Sequence, residues 1–523
     1  MHKSSARKVY DKLAGNRSQF LNTAIECSEL TLPYLVTEDT NSRPHKTLRQ
    51  PWQNVGSSCV NVLASKLMLA LLPPQTTFFK LQVRDDKLGE LDSPEIRSEL
   101  DLSFSKIERI IMDYIAASND RVVVHQAIKH LIVSGNSLLF MGKDGLKNFP
   151  LNRFVVSRDG NGNVVEIVTK EIISKDLLRD VLDNYDPMRV AADDDREDDE
   201  CDVYTHVRIE NGRWVWHQEV HDKIIPGSRS TAPKNASPWL PLRFVSVDSP
   251  TGEDYGRGRV EEFLGDLRSL NALSQALIEG SASAAKVIFL VSPSSTTKPA
   301  SLAKAGNGAI IQGRPEDVSV VQVGKTADFA TAANMAQAIE RRIGEGFLKL
   351  NIRQSERTTA EEVRLTQLEL EQQLGGLFSL LTVEFLVPYL NRIMLVLQRN
   401  GQLPKIPKEF VRPQIVAGVN ALGRGQDRES LAAFMTTVAQ TLGPEALMQY
   451  INPSEVIKRL AAAQGIDVLN LVKTEEQLAQ EQQRAQQDQI GQSLVDQAGQ
   501  IARTPMAEQA MGMNQQQETP PTE

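Results

Sequence analysis

Residues 259–285 read RVEEFLGDLRSLNALSQALIEGSASAA, and this segment, with the residues that follow it up to 350, sets the architecture of the chain. Its apolar residues recur at the spacing of a long helix. Residues 286–328 then favour short strands, at Val287–Val291, Ala309–Gln312 and Val318–Val323. Helical spacing returns over 330–350, where Met335, Ile339, Ile343 and Phe347 follow at steps of four. The pattern predicts two long helices joined by a small β-rich module.

The regions on either side of this segment are predicted to mix helices with strands. Helices are expected over 8–32, 55–72, 99–118 and 121–134, and strands over 76–84, 137–141 and 154–157. Residues 203–221 alternate and predict a hairpin around Asn211-Gly212. Further helices are expected from 358 to about 399, bent at Gly375-Gly376 and Pro388, and over 427–472. The predicted fold class is α+β and predominantly helical.

Length and composition indicate a soluble protein of several packed units. The chain has 523 residues, of which 41% are hydrophobic and 24% charged. Its net charge is −8, and the acidic run 193–200, interpreted as a solvated loop, contributes −6 of it. Bulk charge therefore does not indicate a nucleic-acid-binding protein. Three dispersed cysteines, with no apolar segment typical of a membrane span or signal peptide, predict a cytoplasmic product.

Two short motifs superficially suggest enzyme chemistry. Gly324-Lys325-Thr326 lacks the upstream glycine of a phosphate-binding loop, because position 319 is a serine, so a strand-end turn is favoured. His217, Glu219 and His221 follow the order H-x-E-x-H, whereas zinc proteases carry H-E-x-x-H on a helix. Alternation would place both histidines on one strand face, and a polar sheet face is favoured over a metal site. We therefore expect no enzyme activity, and no catalytic, cofactor or metal residue is assigned.

The polar loop at 351–358 joins the second long helix to a third and carries Arg353, Gln354 and Arg357. Judged from its residues alone, this loop is more simply interpreted as a connector exposed to solvent. The alternative is a mobile basic loop that touches a phosphate backbone without reading bases. Periodicity does not separate the two hypotheses.

An ordered set of motifs resembles the portal, or head-to-tail connector, proteins of short-tailed bacteriophages. The set comprises QPWQNVG at 50–56, LASKLMLAL at 63–71, DYGR at 254–257, EE at 261–262, LGDLRSL at 264–270, GRPED at 313–317, TAEE at 359–362, LGG at 374–376 and GRGQD at 423–427. The motifs occur in the order of the family and cover most of the chain from about residue 8 to 470. The loop around 185–200 and the Gln-rich tail resemble the family least.

The resemblance implies a ring, typically a dodecamer, at one vertex of the capsid, with DNA entering and leaving through its channel. It assigns the chain to successive regions of that architecture. These are an outer wing (1–250), a stem helix (251–285), a β-rich clip (286–328), a second stem helix (329–350), a channel loop (351–358), a kinked long helix with a return to the wing (359–425), a helical crown (426–472) and a partly disordered tail (473–523).

Site residues and partners follow from the same resemblance. Arg353, Gln354 and Arg357 are expected to face double-stranded DNA without sequence preference. In the clip, Lys298, Lys304 and Arg314 are expected to dock the large terminase subunit and later the tail adaptor proteins. Scaffold, major capsid protein and internal core proteins are further expected partners, whereas a cofactor and a membrane are not. The protein would be made in the host cytoplasm and end in the virion.

Two other classes of function stay open at this stage. A nucleotide-driven DNA translocase or metal-dependent nuclease would use Lys325 or His217. A tail adaptor or capsid structural subunit would lack a DNA channel. The order of long helix, β module and long helix argues against the latter.

Overall fold

The computed structural model describes residues 5–38, 48–73, 77–83, 94–142, 145–174, 200–244, 253–284, 288–295, 297–306, 308–321, 326–349, 379–404, 411–415 and 434–441. The chain divides into two units, Met1–Ala421 and Leu422–Glu523. The described part of the second unit is a helix at 434–441, within the predicted crown. The first unit mixes helices and strands, as the α+β prediction requires.

The helices of the first unit mostly coincide with the predicted ones. Within the described ranges they are α1 (Ala6–Glu29), α2 (Val55–Leu71), α3 (Pro94–Ala117), α4 (Asp120–Ser134), α5 (Arg259–Glu262), α6 (Leu264–Ala284), α7 (Pro299–Lys304), α8 (Thr326–Gly346) and α9 (Val387–Arg399). The predictions for α1 to α4 and for α8 are confirmed. Gly135 ends α4 with φ 73°, a left-handed cap that favours glycine, and its N–H donates to the Leu131 carbonyl.

In the described part of the chain, the strands form four antiparallel sheets. They are β1 (Phe79–Val83), β2 (Asn136–Met141), β3 (Leu146–Phe149), β4 (Phe154–Arg158), β5 (Val164–Ser174), β6 (Glu200–Glu210), β7 (Arg213–Val220), β8 (Lys223–Ile224), β9 (Ser230–Pro233), β10 (Trp239–Arg243), β11 (Ile288–Val291), β12 (Val318–Val321) and β13 (Val411–Ile415). The largest sheet has the order β4-β5-β6-β7-β8, with β9 also paired to β7. The others are β10-β2-β3, β1-β13 and β11-β12.

The predicted hairpin of β6 and β7 is confirmed and its register is set by the turn. Asn211 and Gly212 have φ 50° and 72°, the left-handed values that a two-residue hairpin turn requires. His206 consequently lies directly opposite His217. Residues directly opposite each other on neighbouring strands point to the same side of the sheet, so these two histidines share one sheet face. That face also carries Tyr204, against which α1 packs through Tyr10.

Two predictions for the central segment are wrong in part. The helix expected over 259–285 is interrupted at Phe263, which separates α5 from α6 and packs its ring on Phe347 at 5.3 Å. The expected strand at Ala309–Gln312 does not form, and Ile310 is fully exposed. No described strand pairs with this segment, and the Ala309 N–H instead donates to the Gly306 carbonyl at 3.1 Å, as in a turn. The unpredicted helix α7 precedes it.

A strongly apolar helix crosses the main core. A π-helical turn at Thr382–Leu386 leads into α9, so the bend expected near Pro388 takes the form of a widened turn just before the proline. By length and composition alone, the helix from Ser379 to Arg399 could cross a membrane. Its apolar face is instead buried in the hydrophobic cluster that also contains side chains of α2 and α4, as expected for a core helix. The Gly375-Gly376 pair lies outside the described residues.

Candidate functional site

The helices α6 and α8 lie antiparallel and form a hairpin, which we call the stem hairpin. Near one end, Asp266 accepts two hydrogen bonds from the Arg342 guanidinium, at 2.8 and 2.5 Å. Near the other end, Gly280 faces the ring of Phe329, and a Cβ on this glycine would lie 2.5 Å from the Phe329 Cε1 atom. A side chain at position 280 would therefore force the Phe329 ring to move. The strands β11 and β12 continue the hairpin beyond that end.

Much of the surface of the stem hairpin is uncovered in a single chain. Ile278 on α6 and Met335 on α8 are 51% and 55% exposed, and Leu290 on β11 is 53% exposed. Exposed apolar side chains that recur along the hairpin and its β extension are typical of a surface that another protein chain covers.

The end of α8 is held by side chains from two other helices. Lys66 of α2 donates a hydrogen bond from its ammonium group to the Leu348 carbonyl. Arg259 of α5 donates from Nη2 to the Gly346 carbonyl at 3.1 Å. Burial lowers the pKa of Lys66, which indicates that its ammonium is withdrawn from water. We call this end of the stem hairpin the loop base, because the predicted channel loop starts just beyond it.

At the loop base the chain turns through an unusual conformation. Leu348 has φ 57°, in the left-handed region, where a side chain costs about 1–2 kcal/mol. The Lys349 N–H donates to the Gly344 carbonyl at 2.8 Å, a bond that closes the helix end as a glycine cap normally would. The Leu348 side chain is 6% exposed and packs in the main core, so burial offsets the backbone strain. The direction in which the chain leaves α8 is therefore fixed.

Arg353, Gln354 and Arg357, predicted to face the channel, lie outside the described residues. The described part of the chain that precedes them ends at Lys349, which is half-buried. The candidate phosphate-loop residue Lys325 also lies outside the described part of the chain.

The clip residues predicted to dock partner proteins are all exposed. Lys298 immediately precedes α7, Lys304 lies in its last turn, and Arg314 precedes a short 3-10 turn. Gly313 approaches Thr297 so closely that a Cβ would lie 2.0 Å from the Thr297 Oγ1 atom. This contact brings the neighbouring Lys298 and Arg314 to one place, whereas Lys304 lies at the opposite end of α7.

The prediction that His217 and His221 share a strand face is wrong. The strand β7 ends at Val220, and His221 has φ 46° in the turn that follows, so it leaves the sheet. A different histidine, His206, lies beside His217 and Glu219. The Asn211-Gly212 turn could have identified it, since a two-residue turn between 211 and 212 pairs 206 with 217.

The described elements of the stem hairpin are two long helices that pack antiparallel and are extended by a two-stranded sheet, and comparison with known sequences identifies the family of the chain. Residues 3–471 match the family of bacteriophage head to tail connecting proteins. Because the match spans far more than half of the chain, the protein belongs to this family. The resemblance inferred from the ordered motifs is confirmed.

The chain is also similar to characterised portal proteins along most of its length. It is 38% identical to the portal protein of Escherichia phage T7 over 493 residues, 92% of this chain and 90% of the relative. It is 31% identical to that of Enterobacteria phage SP6 over 503 residues, 93% and 94% of the two chains. With the portal protein of Pseudomonas phage phiKMV it shares 28% identity over 505 residues, 94% and 97%. The predicted portal function is confirmed, and the chain is a virion component.

Proposed function

We propose that this chain forms a ring, a dodecamer as in its family, through which double-stranded DNA passes during genome packaging and ejection. The observation that carries this proposal is the loop base. A loop that meets moving DNA needs a rigid attachment, and Lys66 and Arg259 hold the helix end just before residue 351. In this assignment 251–285 and 329–350 are the stem and 351–358 is the channel loop.

The stem hairpin supports closure into a ring. Its exposed apolar residues Ile278 and Met335 lie on different helices and would pack against neighbouring copies. Residues 1–250 and 359–425 would form the wing, which contacts the capsid shell and scaffold. The pairing of β1 with β13 supports a return of the chain to the wing, because it joins residues 79–83 to 411–415. Residues 426–472 would form the crown, and 473–523 the tail beyond it, facing the internal core proteins.

Weak contact with DNA suits a conduit. Each phosphate that a protein neutralises tightens binding through counterion release, so a channel rich in cations would hold the duplex. A chain with a net charge of −8 that offers Arg353, Gln354 and Arg357 from one loop would touch the backbone without retaining it. The chain itself would hydrolyse no nucleotide, and the packaging motor would supply that energy.

The clip is proposed as the docking surface for the large terminase subunit and, after packaging, for tail adaptor proteins. Lys298 and Arg314, which the Thr297–Gly313 contact brings together, would form one basic patch, and Lys304 a second. The fully exposed Ile310 between them would supply an apolar contact. Such a mixed surface is typical of an interface that exchanges partners.

The test replaces Arg353 and Arg357 together by alanine. Rings should assemble as in the wild type when seen end-on by negative-stain electron microscopy, whereas packaged DNA or its retention should fall severalfold. Arg229→Ala is the matched control, because this arginine is 63% exposed and lies between β8 and β9, outside the stem. Unchanged packaging and retention in the double variant would overturn the loop assignment, and a chain that forms no rings would overturn the proposal.

A further inference from the structure

The face of the large sheet beneath α1 carries a cluster of metal-ligating side chains that the portal function does not use. His206 on β6 and His217 on β7 are direct cross-strand partners, and Glu219 follows His217 by two residues on the same face. One ligand atom from each of the three lies within 4.8 Å of the others. A fourth group, Glu166 of β5, contacts the His206 Nε2 atom through its Oε1 at 2.5 Å.

The three candidate ligands are buried, whereas Glu166 beside them is partly exposed. The side chains of His206, His217 and Glu219 are 3%, 9% and 8% exposed, whereas that of Glu166 is 29% exposed. The start of α1 lies over it, where the Ala6 N–H donates to the Glu219 Oε2 atom at 2.6 Å. An ion could therefore enter from the Glu166 side and reach a site that the helix covers.

Glu219 is a buried carboxylate held by two described contacts. Its described partners are the Ala6 amide and the imidazole of His217, which contacts its Oε1 atom at 2.7 Å. Within the described part of the chain, no lysine or arginine forms an ion pair with it. A metal cation bound beside this carboxylate would interact favourably with it.

We propose that His206, His217 and Glu219 bind a zinc ion whose fourth position a water molecule would fill, with Glu166 orienting His206. Two imidazoles and a carboxylate form a ligand set that zinc accepts, and tetrahedral coordination at about 2.0 Å places ligand atoms about 3.3 Å apart. A carboxylate hydrogen-bonded to a metal-binding histidine is a common outer contact. The ion would join β6 to β7 and fix the start of α1 above them.

The test uses the full-length chain, stripped with EDTA and then dialysed against zinc chloride. The wild type should retain about one zinc per chain by mass spectrometry, melt at a higher temperature with zinc, and give the visible absorption of tetrahedral cobalt when Co²⁺ replaces it. His217→Gln keeps a hydrogen-bonding side chain but not a good ligand. Its zinc affinity should fall more than the about 10–100-fold typical of losing an outer partner.

His125→Gln is the matched control, because His125 is a half-buried histidine on α4, outside the cluster. It should bind zinc as the wild type does. Hydrogen exchange on the wild type gives a second measurement that needs no variant: zinc should slow exchange at residues 6–10 and 204–219. The proposal is overturned if the wild type does not retain zinc, if both variants lose zinc equally, or if hydrogen exchange does not change with zinc. The histidine and glutamate side chains would then form only a hydrogen-bonded polar network.

Discussion

The ammonium group of Lys66 is hydrogen-bonded to the main-chain carbonyl of Leu348, 282 residues further along the chain. This bond ties the second helix of the protein to the point where the stem hairpin ends. Leu348 holds a left-handed conformation there, so the bond and the burial of its side chain stabilise a strained turn. The proposed channel loop thus starts from a position that distant parts of the sequence determine.

Replacing Lys66 by methionine should loosen the loop base while keeping the apolar stem of the side chain. The Leu348 carbonyl would lose its donor in a partly buried place, which costs about 1–3 kcal/mol. Amide exchange at residues 344–349 should rise roughly five- to a hundredfold. Lys80→Met, at an exposed position of β1, should leave that exchange unchanged. Equal protection in Lys66→Met and wild type would show that the bond does not hold the turn.

Charging the exposed face of the stem hairpin should block ring assembly. Ile278→Lys places an ammonium where we expect a neighbouring copy to pack, and its desolvation would oppose association. The variant should stay folded by circular dichroism, because Ile278 is 51% exposed in the single chain, but should sediment as smaller species. Val165→Lys, at a 46% exposed position of β5, is the control and should form rings. Normal rings of Ile278→Lys would contradict the assigned interface.

Two glycine-to-alanine changes should shift stability in opposite directions. A Cβ at Gly256 would lie 2.5 Å from the Phe244 carbonyl oxygen, and Gly256 also exchanges two hydrogen bonds with the Asn136 side chain, at 2.7 and 2.8 Å. Gly256→Ala should therefore destabilise the protein by about 2 kcal/mol or more. Gly15→Ala meets nothing within 4 Å inside α1 and should stabilise it by about 0.4–1 kcal/mol. A melting temperature of Gly256→Ala equal to or above that of the wild type would refute the close packing at Gly256.

Acid should destabilise the protein partly through His130. Burial lowers the pKa of this histidine from 6.5 to about 4, so the folded chain keeps it neutral. Between these values the unfolded chain takes up a proton that the folded chain does not. Stability is thus lost as the pH falls from 6.5 to about 4, by up to ~3 kcal/mol. His130→Gln should show a smaller drop in melting temperature between pH 7 and 4.5, and parallel profiles would exclude this role.

Local sequence patterns predicted the helices α1 to α4 and the β6–β7 hairpin because spacing and turn residues act within a few positions. They missed α7, whose six residues show less than two turns of periodicity, and they predicted a strand around Ile310 that finds no partner. The histidine cluster does not appear as a sequence motif, although the hairpin turn does, because His206 lies on one strand and His217 and Glu219 lie on the next.

Apolar periodicity, turn residues and an ordered set of motifs were enough to give the α+β class, the order of helix, β module and helix, and the phage connector family. Three-dimensional packing was needed for the rest: the left-handed Leu348, its bond to Lys66, and the meeting of His206, His217 and Glu219 under α1. Contacts within one element depend on neighbouring residues, whereas these contacts depend on where separate elements lie after the core has formed.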